Sequence, residues 1–330
     1  MRMKLRIANC ELPIAEQSGG VASPLGAGAQ GTARPTGSIA IRNSQFANGF
    51  TLVEVLVVVV LLAVIVLALM AVFNSTQSAF RASVTQADVL ESGRATMDLM
   101  TEDLRAMAPS LGVSNNLTGA VNFYANTNVN EQPLIQPMVG GSSTRTNVLE
   151  NFFILSRGNA NGVATWYGVG YAVATNSPSG SLYSLYRFSA QANMPADPRV
   201  LFNTFTNEVN NGQWTNMSHL MDGVVALTVR AYDNNGVWMT NGYANLTNMT
   251  VKNAWFSPPV YGQVGFAMFS NTLPASVEIE MGVLEDRTLQ RAESIPLASA
   301  QANYLAGAAG QVHVFRQRVS IPNVDPSAYQ

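Results

Sequence analysis

The chain has 330 residues, 47% of them hydrophobic and only 12% charged, where an average soluble domain carries about 25% charged residues. That balance excludes a disordered chain, which needs high charge and low hydrophobicity, and a formal net charge of -2 offers no basic excess to neutralise nucleic-acid phosphates. The single cysteine, Cys10, excludes an internal disulfide and cysteine-based metal sites.

Charge is distributed unevenly. Residues 1–49 hold five basic side chains (Arg2, Lys4, Arg6, Arg34, Arg42) and two acidic ones (Glu11, Glu16), so the remainder of the chain is acidic by five charges. Residues 17–49 are rich in Gly, Ala, Ser, Thr and Pro and lack hydrophobic periodicity, which predicts a flexible segment without a fold of its own. Met1 to Asn9 contains three basic residues and no apolar run, so Cys10 does not follow a lipoprotein signal.

Residues 55–73 are 19 consecutive apolar residues, from Val55 to Phe73. At about 1.5 Å per residue they match the roughly 30 Å hydrocarbon thickness of a bilayer. A helix buried in a soluble core is the competing reading, but such helices rarely run so far without a polar face. Arg34 and Arg42 precede the span without an acidic residue between positions 17 and 53, which favours an N-inside, C-outside orientation. The bulk of the chain is then expected outside the cytoplasm.

An ordinary anchor explains all of this except Glu54. An ionised carboxylate at the mouth of the span is costly unless paired, and a functional role is the default hypothesis. If the chain were cut after Gly49, Phe50 would carry a new amino terminus four residues before this anion. The amine of one subunit could then neutralise Glu54 of its neighbour.

The string Gly49-Phe50-Thr51-Leu52-Val53-Glu54, followed directly by the apolar run, resembles the class III signal of type IV pilins and type II secretion pseudopilins. The resemblance implies a prepilin peptidase that cleaves between Gly49 and Phe50 and methylates the Phe50 amine. It also implies that Glu54, fifth in the mature chain, guides assembly into a filament. Two departures stand out: the implied leader of residues 1–49 is longer than most, and Asn48 occupies the place of a common basic residue.

Past the membrane the helix is expected to continue. Phe80, Val84, Ala87, Leu90, Met97, Met100, Leu104 and Met107 recur at threes, fours or sevens, with charged residues largely elsewhere. This amphipathic half spans 74–108 and ends before Pro109. Gly93 inside it costs roughly 1 kcal/mol relative to alanine and is a place for a bend. The Met and Leu stripe predicts a face packed on the globular domain.

After a polar, Asn- and Gly-rich stretch from Ser110 to Asn147, strands are predicted at 151–155, 163–173, 181–188, 224–232, 275–283 and 311–321. Val277-Glu278-Ile279-Glu280-Met281 alternates, so one face should be wet and the other packed beneath the helix. Asp233-Asn234-Asn235-Gly236 predicts a turn, and 288–308 a short helix or a loop. The expected fold is α+β: a pilin-like long helix, with its transmembrane half at 50–73, on a mainly antiparallel sheet in a domain at 109–330.

The order of segments in the C-terminal half carries a second resemblance. Phe152-Phe153-Ile154-Leu155, Val169-Gly170-Tyr171, Leu185-Tyr186-Arg187, Leu220-Met221-Asp222-Gly223-Val224 and Phe315-Arg316-Gln317-Arg318 are similar to the run of segments in J-type minor pseudopilins and PilW-like minor pilins. The chain also resembles the prepilin-like proteins of the Verru_Chthon cassette. A minor subunit is favoured over a major pilin.

Catalytic chemistry has little support. His219 and His313 are far apart in sequence, and lone histidines are more often structural or exposed. No phosphate-cradling glycine motif, nucleophile elbow or zinc spacing is present. Asp233-Asn234-Asn235 has some likeness to a calcium loop, but the acidic end of an EF-hand loop is missing. Asn-x-Ser/Thr at Asn216, Asn245 and Asn248 is expected by chance in so Asn-rich a chain.

The expectation is therefore a non-enzymatic minor pseudopilin or minor pilin without metal or cofactor. Its implied partners are prepilin peptidase, other pseudopilins or pilins and the inner-membrane assembly platform; nucleic acid is not expected. It would sit in the inner membrane with a cytoplasmic N-terminus and a periplasmic C-terminal domain. A major pilin, a membrane-anchored adhesin or binding module that retains residues 1–49, and an anchored enzyme are the alternatives.

Overall fold

The computed structural model describes residues 50–111, 120–138, 143–175, 182–194, 196–212, 216–240 and 251–329. The chain divides into two compact units, Met1–Ala63 and Val64–Gln330. In the first, the described residues are the start of helix α1, which as a whole is Leu52–Arg105. Its limits lie just inside the expected 50 and 108. Val, Ile and Leu dominate the first half of α1, and the helix pairs the backbone groups of this run within the segment itself.

In the second unit the strands are β1 (Val121–Thr127), β2 (Leu134–Pro137), β3 (Thr144–Asn147), β4 (Glu150–Ala160), β5 (Val163–Thr175), β6 (Tyr183–Asn193), β7 (Met217–Tyr232), β8 (Ala254–Phe256), β9 (Phe266–Phe269), β10 (Ser276–Leu284) and β11 (Val312–Ser320). Nine of them form one sheet in the order β11-β10-β7-β6-β5-β4-β1-β9-β8, and every neighbouring pair in it is antiparallel. β2 and β3 make a separate hairpin. Among the described residues there are three further α-helices: α2 (Arg199–Asn211), α3 (Asp286–Glu293) and α4 (Ala298–Gly307). The α+β, pilin-like arrangement expected from the sequence is present.

The β4–β5 hairpin shows how local chemistry sets register. Asn161 and Gly162, between the paired Ala160 and Val163, both have positive φ, 51° and 81°. Two such residues close a turn whose twist matches that of the strands, and Asn-Gly is the pair that tolerates it best.

Each strand then presents alternate residues to two faces. Phe152 and Ile154 of β4, with Tyr171 and Val173 of β5, Leu185 of β6 and Val277 and Ile279 of β10, pack with Val89, Met97, Met100, Leu104 and Met107 of the α1 region. Phe153 and Leu155 point the other way and pack with Leu201, Phe202 and Phe205 of α2. A third cluster joins Leu134, Val225 and Leu284 to Ala292 of α3 and Leu305 of α4. Helices thus cover both faces of the central strands, which is why Glu150 to Ser156 is buried without a break. Burying one such large apolar side chain contributes about 1.5–3 kcal/mol.

Four expectations change. The packed stripe of α1 begins at Val89: Phe80, Val84 and Ala87, expected on it, are exposed. The outward face of β10 is not wet, because Glu278 is 8% exposed and accepts hydrogen bonds from Arg230 of β7 and Arg316 of β11. The polar stretch before Asn147 contains β1, β2 and β3, and the region 288–308 forms parts of two helices. α2 is an element that hydrophobic patterning in the sequence did not single out. Its seat is Gly168 and Gly170 on β5, where an added Cβ would lie 2.9 Å from Leu201 Cβ and 2.4 Å from Phe205 Cε2. Glycine inside a strand marks such a close approach, and that is the signal from which a covering element could have been inferred.

The end of α1 is fastened by polar contacts as well. Asp103 accepts two hydrogen bonds from Arg187, through Nε and Nη2 at 2.8 Å each, and one from the Tyr171 hydroxyl. Ala108 N–H donates to Leu155 O at 2.9 Å, and Asn323 Nδ2 donates to Met107 O at 2.8 Å.

Candidate functional site

The candidate residues expected from the sequence lie at the start of α1. Gly49 lies outside the described residues. Phe50 is 85% exposed, and Thr51 and Glu54 are joined reciprocally. Glu54 N–H donates to Thr51 Oγ1 at 3.3 Å, while the backbone N–H and the hydroxyl of Thr51 both donate to Glu54 Oε2 at 3.1 Å. Thr51 O accepts the first intrahelical hydrogen bond, from Val55 N–H at 3.3 Å. This is a capping box: a helix leaves its first N–H groups without partners, and a Thr with a Glu three residues later satisfies two of them. The Thr-x-x-Glu spacing is visible in the sequence and could have predicted it.

The consequence for Glu54 is orientation. Its carboxylate is held at the positive end of the helix dipole, turned back onto Thr51. Along α1, an 18-residue apolar window has no part buried in the protein, and every residue from Phe50 to Phe80 is exposed. One described helix is long and apolar enough to cross a membrane.

The other candidate residues lie apart from this end. His219 and Asp222 of β7 meet, with Nε2 and Oδ1 2.8 Å apart, and Ser184 Oγ donates to the same Oδ1 at 2.5 Å. Here the carboxylate stands between the hydroxyl and the imidazole. Nucleophile activation requires the imidazole in that place, so the three residues form a hydrogen-bonded cluster rather than a catalytic relay. Burial pushes the Asp222 carboxyl up, but the hydrogen bonds from Ser184 and His219 outweigh it and hold the group below the usual aspartate range. His313 is on β11, paired across to Val283.

Asp233 is buried at the end of β7, and its Oδ1 accepts from Asn235 N–H at 2.9 Å and Val237 N–H at 2.6 Å. Its carboxylate closes the predicted turn. Asn216 Nδ2 donates to Glu208 of α2 at 2.5 Å; Cys10, Asn245 and Asn248 lie outside the described residues. Among the described residues, no three His, Cys, Asp or Glu side chains are grouped so as to hold a metal ion.

Comparison with known proteins agrees with the position of the capping box. No curated protein and no solved structure matches the chain. Residues 46–70 match the prokaryotic N-terminal methylation motif, a prepilin-type signal that spans the Gly49-Phe50 step, the Thr51–Glu54 box and most of the apolar run.

Proposed function

We propose that this chain is a non-enzymatic structural subunit, a minor pseudopilin or minor pilin, of a type II secretion pseudopilus or a type IV pilus-like filament. Prepilin peptidase cleaves it between Gly49 and Phe50 and methylates the new amine. Residues 55–73 hold it in the inner membrane with its N-terminus cytoplasmic, and residues 109–330 form the periplasmic domain. Glu54 then neutralises the amine of a neighbouring subunit as the assembly platform exchanges lipid for neighbouring helices. In a low-dielectric surrounding a paired carboxylate and ammonium are far cheaper than either charge alone.

The observation that carries this reading is the coincidence of the methylation motif at 46–70 with a carboxylate that its own capping box holds on the backbone N–H and hydroxyl of Thr51, the residue after Phe50. The order of strand segments resembling minor subunits supports the choice of a minor role. Intact mass and N-terminal sequencing of the protein from its native membrane test processing. A mature chain starting at N-methylated Phe50 is expected, and a chain retaining residues 1–49 beside active peptidase would refute it. For assembly, Glu54→Ala is expected to leave the β domain folded and remove the subunit from sheared filaments. Recovery of the variant there at wild-type levels would sink the assembly role.

A further inference from the structure

The first turns of α1 beyond Phe73 border a groove of about 440 Å³. Asn74, Gln77, Ser78 and Arg81 line it from α1, and Arg287 and Gln290 line it from α3. With Thr85, which also lines it, the five α1 positions follow one another at three, one, three and four residues, which is one face of a helix. Both charged side chains are arginines, and no carboxylate lines the groove. Neither guanidinium takes part in an ion pair among the described residues. Asp88, the next acidic residue along α1, is outside the lining.

The groove's place along the helix indicates what it meets. Arg81 is eight residues past Phe73, or about 12 Å at the rise of an α-helix. Helical side chains lean toward the N-terminus, and long cationic ones reach along apolar surface to the interface, so the guanidinium comes back by roughly half that distance. The headgroup layer of a leaflet is about 5–7 Å deep beyond the hydrocarbon. Guanidinium forks bind phosphate oxygens in pairs, and the amides and hydroxyl beside them suit glycerol and ester oxygens.

We propose that this groove binds the phosphate of an anionic glycerophospholipid headgroup, with Arg81 and Arg287 as its two cationic contacts. The proposal rests on reading residues 55–73 as a membrane span. Free phosphate shares the recognised chemistry, but a bilayer presents its headgroups at the groove at high effective concentration.

The full chain is reconstituted into vesicles of phosphatidylcholine alone or mixed with phosphatidylglycerol, and co-flotation with the pure phosphatidylcholine vesicles checks the span itself. Native mass spectrometry after release from the mixed vesicles then reads the ratio of the two retained lipids. Wild type is expected to retain phosphatidylglycerol, and R81Q/R287Q to lose that preference roughly tenfold or more. An R94Q control, whose change lies outside the groove, should keep it, and millimolar inorganic phosphate should not displace the lipid.

Flotation with equal retention by wild type and the double variant overturns the groove proposal alone. Equal loss in R94Q overturns it in favour of diffuse attraction to an anionic surface, and displacement by inorganic phosphate overturns the lipid as its source. A chain that does not float overturns the span and the proposal together.

Discussion

Gly93 of α1 and Phe315 of β11 are in contact so close that any side chain in place of the glycine would have to displace the ring: a Cβ at Gly93 would lie 2.3 Å from Phe315 Cζ. The glycine expected as a bend is a seat for an aromatic ring from the edge strand of the sheet. It sits on the buried stripe of α1 that includes Val89 and Met97, and it ties the helix to β11.

Gly93→Ala therefore sets two effects against each other. Alanine gains about 1 kcal/mol of helix propensity over glycine, while forcing a methyl into this contact costs about 1–3 kcal/mol. Net destabilisation of about 1 kcal/mol is expected, because the half-buried ring can shift only in part. Thermal unfolding followed by circular dichroism measures it. In a double-mutant cycle, Phe315→Ala should remove the clash and leave Gly93→Ala neutral or stabilising.

Asp103 fixes the same helix by charge. Its carboxylate takes both Arg187 hydrogen bonds and that of the Tyr171 hydroxyl, and the pair is largely shielded, with side-chain exposures of 14% and 25%. Asp103→Ala should cost about 2 kcal/mol, since it strands a guanidinium and a hydroxyl. Changing both ends, Asp103→Leu with Arg187→Met, should be less destabilising than Asp103→Ala alone. Urea denaturation of the single and paired variants distinguishes a stranded partner from simple loss of an attraction.

Glu150 makes stability depend on pH. Only Val229 N–H of β7 donates to its Oε2, and Oε1 has no hydrogen-bond partner among the described residues. Burial pushes its carboxyl up from the ordinary 4.5 to about 8, against the smaller opposing effects of the Val229 hydrogen bond and the Arg230 charge. Below 4.5 the group is protonated whether the chain is folded or not. Between 4.5 and about 8 the unfolded chain releases its proton and the folded one keeps it, so this group's contribution to stability falls as pH rises and levels off above 8. Glu150→Gln, which keeps an acceptor for Val229 and never ionises, should flatten that part of the profile. It should also raise the unfolding temperature at pH 8 more than at pH 5; an equal shift at both would refute the titration.

Much of this arrangement is encoded locally. The apolar run of 55–73, the Gly49-Phe50 step with Glu54 five residues on, and the short apolar strand runs of β4 to β7 are patterns among near neighbours, and near-neighbour patterns survive in sequence. The same holds for the Thr51–Glu54 box, whose spacing belongs to one turn of helix. The sequence by itself thus determined a long helix, an antiparallel sheet and the place of the processing signal.

Only tertiary structure decided how far residues separated along the chain meet. Asn122 of β1 donates to Thr272 O, 150 residues away, beside the antiparallel pairing of β1 with β9, so the polar stretch that holds β1 becomes strand through a partner far along the chain. Gly93 was a helix flaw until Phe315 arrived from β11, and Gly170 a weak point in β5 until Phe205 filled it. Glu278 read as a solvated residue because alternation counts faces but not what covers them; Arg230 and Arg316, on the strands to either side, closed over it. Periodicity records which side of an element a residue takes, whereas burial depends on what the rest of the chain lays against that side.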